Sequence, residues 1–132
     1  MIPCKAVLDI QGDWPEVDPR DLEAIVAQLL AGEAVTNTLC VPLTDPEVAA
    51  NPNVVKVVLD ASSRALLFSR APLPWWRDGS AKGNTALPED PPALRHVGLY
   101  AYRAGFLRRF PTLPMAPLER TEALEQLRVL WH

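Results

Sequence analysis

Apolar positions along this chain recur in two periods, and the switches between them set out its elements. The run AVLDI at 6–10 suits a short buried strand and stops at Gln11-Gly12-Asp13. Next, Leu22, Ile25, Val26, Leu29 and Leu30 repeat at helical spacing and give one apolar stripe. Asp18 supplies an N-cap for that helix, Pro19 its first residue and Gly32 the position just past its end. A second strand follows at 35–43. This β-loop-α-β order predicts a layered α/β fold with a mostly parallel sheet flanked by helices. Ligands of such sheets bind beyond the carboxyl ends of the strands, where Asp13 is expected.

Further along, β-rich runs at 54–59 and 65–68, separated by Asp60 to Arg64, predict an antiparallel hairpin. The segment 71–93 reads as a long proline-rich loop of the kind that serves as a lid or an interface, or stays disordered. A strand at 94–102 and a short helix at 104–110 come next. From Pro117 to about Trp131 one final helix is expected, its stripe made of Ala123, Leu124, Leu127, Leu130 and Trp131. On such a helix Glu119 and Gln126, seven apart, share a face.

At 132 residues the chain has the length of one ordinary domain. Its net charge of −3 argues against a nucleic-acid partner, which calls for a basic patch or domain. No apolar run is long enough for membrane insertion, and MIPCKAVLDI lacks a signal-peptide layout, so a cytoplasmic location is expected. Cys4 and Cys40 have neither CxxC spacing nor a histidine cluster, which predicts free, buried thiols.

Candidate chemistry concentrates between residues 53 and 109. Two apolar segments end in arginines, Arg70 and Arg77, the residue type that grips a carboxylate through paired hydrogen bonds. His96 and Tyr100, four apart on a strand, share a face across Gly98 and can line one wall of a pocket for a small, acidic, hydroxyl-rich ligand. Each residue has a plainer reading beside this one. Asp13 is either a ligand for a hard cation such as Mg²⁺ or a turn cap. Arg70 and Arg77 are either a clamp or surface charges in weak ion pairs. His96 is a ligand contact or a core histidine, and Glu119, Glu122 and Gln126 are a polar wall or a solvated helix face. No Ser/His/Asp triad and no phosphate-cradling glycine loop stands out.

In order, the segments QGDxP, NPNxVKVVLD, ALxFSRAxxPWxRD, LRHxGxYxYRAGFLRR, PLE and EQLRVLW resemble the successive motifs of one family. It is the 3-deoxy-manno-octulosonate cytidylyltransferase (CMP-Kdo synthetase) family. The resemblance implies a partial Rossmann-like nucleotidyltransferase fold and a Mg²⁺-dependent reaction of CTP with the acidic sugar Kdo. The products would be CMP-Kdo, for lipopolysaccharide synthesis, and pyrophosphate. It implies a homodimer as well. Carried over by position, Asp13 is the metal-binding catalytic aspartate and Gln11 its sugar-facing neighbour. Arg70, Arg77, His96 and Tyr100 belong to the sugar site, and Glu119 and Gln126 approach the sugar hydroxyls.

Departures from the family pattern are the absence of its basic phosphate loop and of its C-terminal segment, with Trp14 after QGD and Ala116 before PLE. They lead to the expectation of a single truncated domain over 1–132, with sugar binding and dimerisation in 53–131 and little or no activity alone. The alternatives are a non-catalytic sugar-binding or dimerisation remnant, and a cytidylyltransferase for another acidic sugar.

Overall fold

The computed structural model describes residues 3–11, 17–81, 87–88 and 92–132. Asp13, Gly12 and Trp14 lie outside the described residues. Two compact units form, Met1–Leu39 with Val97–Leu113 and Cys40–His96 with Pro114–His132.

In the first unit, β1 (Ala6–Ile10) lies antiparallel to the C-terminal part of β5 (Ala93–Arg103), with Ala6 opposite Arg103 and Ile10 opposite Leu99. The start of β2 (Thr36–Leu43) also pairs with β5. Its contacts descend β5 as they ascend β2: Arg103 N donates to Val35 O, Thr36 Oγ1 to Ala101 O, and Thr38 Oγ1 to Leu99 O. The mostly parallel sheet expected from the sequence is therefore corrected to an antiparallel one. β1 and β2, the outer members of a β-α-β run, do not share an edge, because β5 pairs with both. The partner of a strand is chosen by long-range packing, which local periodicity does not report.

Between those strands runs α1 (Pro19–Ala31), whose start is the one its sequence predicts. The Asp18 carboxylate accepts from Arg20 N at 2.9 Å, and Pro19 occupies the first turn, where its missing N–H costs nothing. Ile25 and Leu29 bury fully against Ala101, with Ala6, Leu8, Val26 and Leu39 packed around them. Burial of such side chains stabilises by about 2 kcal/mol each. The Arg103 guanidinium closes the other end of α1 by donating to the carbonyls of Leu29, Gly32 and Ala34. Helix α4 (Ala104–Arg109) follows β5 and ends in the exposed Arg108 and Arg109, where cations suit the helix C-terminus.

The second unit is built on the hairpin of β3 (Lys56–Leu59) and β4 (Ala65–Ser69), with the start of β5 beside β3. Its turn is held by the Asp60 carboxylate, which accepts from Ser62 N and Arg64 N, both at 2.8 Å. Val57 and Phe68 from the hairpin pack on Leu124 and Leu127. Two short helices were not expected from the sequence, α2 (Pro46–Ala50) and α3 (Arg77–Ala81). The first repeats the signature of α1: Asp45 accepts from Glu47 N at 2.8 Å and Pro46 opens the helix.

The single final helix is corrected to two, α5 (Pro117–Glu122) and α6 (Gln126–Trp131). Ala123 stands between them in the left-handed conformation, with φ at 52°. Local propensity would carry a helix through this stretch; seating Leu124 and Leu127 in the core overrides it. Glu119 and Gln126 consequently belong to different helices. Of the thiols, Cys40 is half-buried and Cys4 is exposed, which corrects the expectation of two buried ones.

Candidate functional site

Glu122 of α5 lies between two cations of the second unit, and the site is built around it. Its carboxylate accepts from Ser69 Oγ at 2.6 Å and from Arg70 N at 3.0 Å, where β4 ends. These hydrogen bonds, from Ser69 first and then from the Arg70 amide, hold its pKa below the usual carboxylate range. Arg70 in turn spreads its guanidinium over carbonyl oxygens: Nε to Glu122 O at 2.8 Å, Nη1 to Pro52 O at 3.0 Å and Nη2 to Ala123 O at 3.3 Å. Carbonyls orient a guanidinium without cancelling its charge.

Lys56, the second cation, is 0% exposed. Its three donors meet the carbonyls of Asn51 at 3.0 Å, Val54 at 2.6 Å and Arg70 at 2.6 Å. Burial pushes its pKa down, and the Glu122 charge works in the opposite direction. One carboxylate between two cations leaves a net positive charge at the end of β4, an arrangement that favours an anionic ligand.

Glu119 of the same helix is buried and held by the Arg128 fork, with Nε 2.9 Å from Oε2 and Nη2 2.5 Å from Oε1. Its other contact is with Ala116 N at 3.0 Å, half of a capping box whose second half would need a hydroxyl at position 116. The pair with Arg128 keeps the Glu119 carboxyl below its ordinary range. Gln126, at the start of α6, is buried as well, so neither residue forms a solvated face. His96 packs edge-on to Phe68 with ring centres 4.9 Å apart, and burial lowers its pKa to about 4, so the ring is neutral at pH 7. Arg77 is exposed on α3 beside Asp78 at 3.9 Å.

Two of the predicted residues belong to the first unit. Gln11 follows β1, and its side chain lies over Gly98, where a Cβ would come within 3.2 Å of Gln11 Oε1. Tyr100 is buried on β5 and stacks on Tyr102 at 5.5 Å. This unit also carries an open groove of about 710 Å³, lined among others by Cys4, Lys5, Arg103, Phe106, Arg108 and Arg109, none of them predicted as a site residue.

The structure thus joins Arg70 to Lys56 and Ser69, which sequence reasoning did not select, and to Glu122, which it weighed only as part of a polar wall or a solvated helix face. Lys56 offered a usable signal. A lone cation within the apolar run VVKVV must find carbonyl partners if the strand is buried. Glu122 offered none, because its partners lie more than fifty residues away in sequence.

The β-α-β opening, the hairpin and the paired terminal helices place this chain in a recognised class. It belongs to the cytidylyltransferase family, whose description matches residues 3–132. Within that family it is similar to proteins named 3-deoxy-manno-octulosonate cytidylyltransferase. The one from Leptothrix cholodnii is 61% identical over 128 residues, 96% of this chain and 46% of that protein. The one from Methylibium petroleiphilum is 58% identical over 131 residues, 96% of this chain and 49% of that protein. A solved structure of CMP:2-keto-3-deoxy-manno-octonic acid synthetase complexed with CTP matches with a TM-score of 0.83 at 35% identity, over 98% of this chain and 50% of that one. The chain therefore spans about half the length of the relatives it matches.

Proposed function

We propose that this chain carries the sugar-acid half of a cytidylyltransferase that joins CMP from CTP to Kdo with release of pyrophosphate. The observation that carries the reading is Arg70. Its guanidinium is oriented by three carbonyls and keeps two of its five N–H groups for a ligand, within a cluster of net positive charge. A carboxylate on the sugar suits that donor geometry. Identity to relatives named for Kdo and the likeness to a CTP-bound synthetase support the choice of reactants.

In this reading, within the second unit, His96 faces the sugar, Arg77 adds a further cation, and Glu119 and Gln126 meet its hydroxyls; Gln11 and Tyr100 are the sugar-facing candidates of the first unit. A neutral His96 donates or accepts one hydrogen bond per ring nitrogen, which suits hydroxyl recognition. Mg²⁺ would be held by Asp13. Asp13 lies outside the described residues, and among the described residues no three carboxylate, histidine or cysteine side chains converge on one point. A homodimer and a cytoplasmic setting complete the proposal. Among the described residues no helix is long and apolar enough to cross a membrane.

The test has two arms. Kdo is titrated into the purified chain without CTP, and pyrophosphate release is followed with CTP, Kdo and Mg²⁺. Sugar binding with turnover supports the full reading. Binding without turnover supports the second one, a non-catalytic sugar-binding module. Preference for a sialic acid over Kdo would move the assignment to another acidic sugar. A chain that binds none of these sugars sinks it.

A further inference from the structure

Glu122 reaches Arg70 in two ways at once. Its carboxylate takes the Arg70 amide at 3.0 Å while its own carbonyl takes Arg70 Nε at 2.8 Å. The second carboxylate oxygen binds Ser69 Oγ at 2.6 Å, and that hydroxyl in turn accepts from Ala71 N at 3.1 Å. One residue of α5 thereby sets the backbone on both sides of Arg70 and the plane of its guanidinium. Lys56 holds the Arg70 carbonyl from the other side at 2.6 Å. A short fixed hydrogen bond to a charged group is stronger than a neutral one, so this clasp is stiff.

We infer that Glu122 is a positioning residue of the sugar-acid site: it touches no sugar itself and acts by fixing the direction in which Arg70 presents its remaining N–H groups. The inference rests on the reading that Arg70 receives the sugar carboxylate. Bidentate recognition requires the fork in one plane, and an Arg70 backbone no longer held by the Glu122 carboxylate would let the guanidinium sample several. The Glu122 carboxylate also works against the burial that lowers the Lys56 pKa.

The experiment uses the whole chain with Glu122→Gln, Glu122→Ala and Ser69→Ala. Three quantities are read: the dissociation constant for Kdo, the ¹H–¹⁵N resonances of the Arg70 amide and Nε, and the melting temperature. Loss of the carboxylate in Glu122→Ala is expected to weaken Kdo binding on the order of tenfold or more and to shift both Arg70 resonances. Glu122→Gln keeps one acceptor oxygen and should fall between parent and alanine variant. Ser69→Ala removes only the hydroxyl, leaves the fold intact and should weaken binding about threefold. A lowered melting temperature with unchanged Kdo affinity and unmoved Arg70 resonances overturns the inference and leaves Glu122 a stabilising contact only. If the parent chain binds Kdo and all three variants bind it equally well, the positioning role alone falls. If the parent binds no Kdo, the sugar-acid reading falls and takes this inference with it.

Discussion

The Arg128 guanidinium straddles the Glu119 carboxylate, with two nitrogens within 2.9 Å of its oxygens, and so ties α6 to the first turn of α5. Both side chains are mostly withdrawn from water, at 16% and 5% exposure. Removing one member of such a pair leaves the other charge buried and alone, which costs far more than losing a surface contact.

Arg128→Met is therefore expected to destabilise the fold, read as a lowered midpoint of denaturant unfolding. The pair also has a pH signature. The Glu119 carboxyl is depressed in the folded state, first by Arg128, so its contribution is present above the unfolded value near 4.3 and is lost as pH falls through the folded one. The variant should show a shallower acid limb below about pH 4 than the parent. An equally steep limb would assign acid sensitivity elsewhere.

His96 gives the opposite kind of group, a cation former kept neutral. Its folded pKa of about 4 lies below the ordinary 6.5, because burial disfavours the charged ring. Between these values the unfolded chain binds a proton that the folded chain refuses, so stability falls as pH drops from about 6.5 to about 4. The full difference is about 3 kcal/mol at 1.4 kcal/mol per unit. Unfolding measured across that window should lose most of this dependence in His96→Gln.

Ala123 pays a conformational cost for the turn between α5 and α6, since its φ of 52° lies in the left-handed region, which is unfavourable for a residue that carries a Cβ. Glycine carries no such penalty, although it loses more freedom on folding. Ala123→Gly should raise stability by about 0.5–1 kcal/mol. A destabilised variant would mean that the alanine methyl packs usefully.

Gly98 tests the proposed sugar-facing role of Gln11 without touching that residue. A Cβ there would meet Gln11 Oε1 at 3.2 Å, close enough to move the end of a flexible side chain. Gly98→Ala is expected to leave the melting temperature nearly unchanged while Kdo affinity falls several-fold. Unchanged affinity would remove Gln11 from the proposed site.

Much of the local architecture was legible before any coordinates. Helix α1 begins and ends where Asp18, Pro19 and Gly32 signal, and strand β1 occupies the predicted run. The hairpin lies around Asp60 to Arg64 as expected, with Asp60 holding the turn. The same reading passed over α2, although Asp45-Pro46 repeats the signal that marks α1, because five residues are too few to show a period. Asp13, on which the expected cation site depends, lies outside the described residues.

The candidate site divides in the same way. Arg70, His96 and Glu119 could be picked out because their residue types announce hydrogen-bonding chemistry. Lys56 carried a signal that was passed over, a lone cation in an apolar strand. The tie of Glu122 to Arg70 could not be read, because a glutamate on a helix looks ordinary until its partners are known. The closure of Arg70 by Glu122 spans 52 positions.

What the chain dictates by itself is short-range: capping, periodicity and turns are settled among residues within one helical turn or one hairpin, where few conformations compete. Folding in three dimensions alone decided that β5 pairs with both β1 and β2, that the last helix breaks at Ala123, and that Glu122 clasps Arg70. Each of these follows from burying apolar side chains such as Leu124 and Leu127 while keeping every nearby charge hydrogen-bonded, a condition on the whole packing that no local stretch can express.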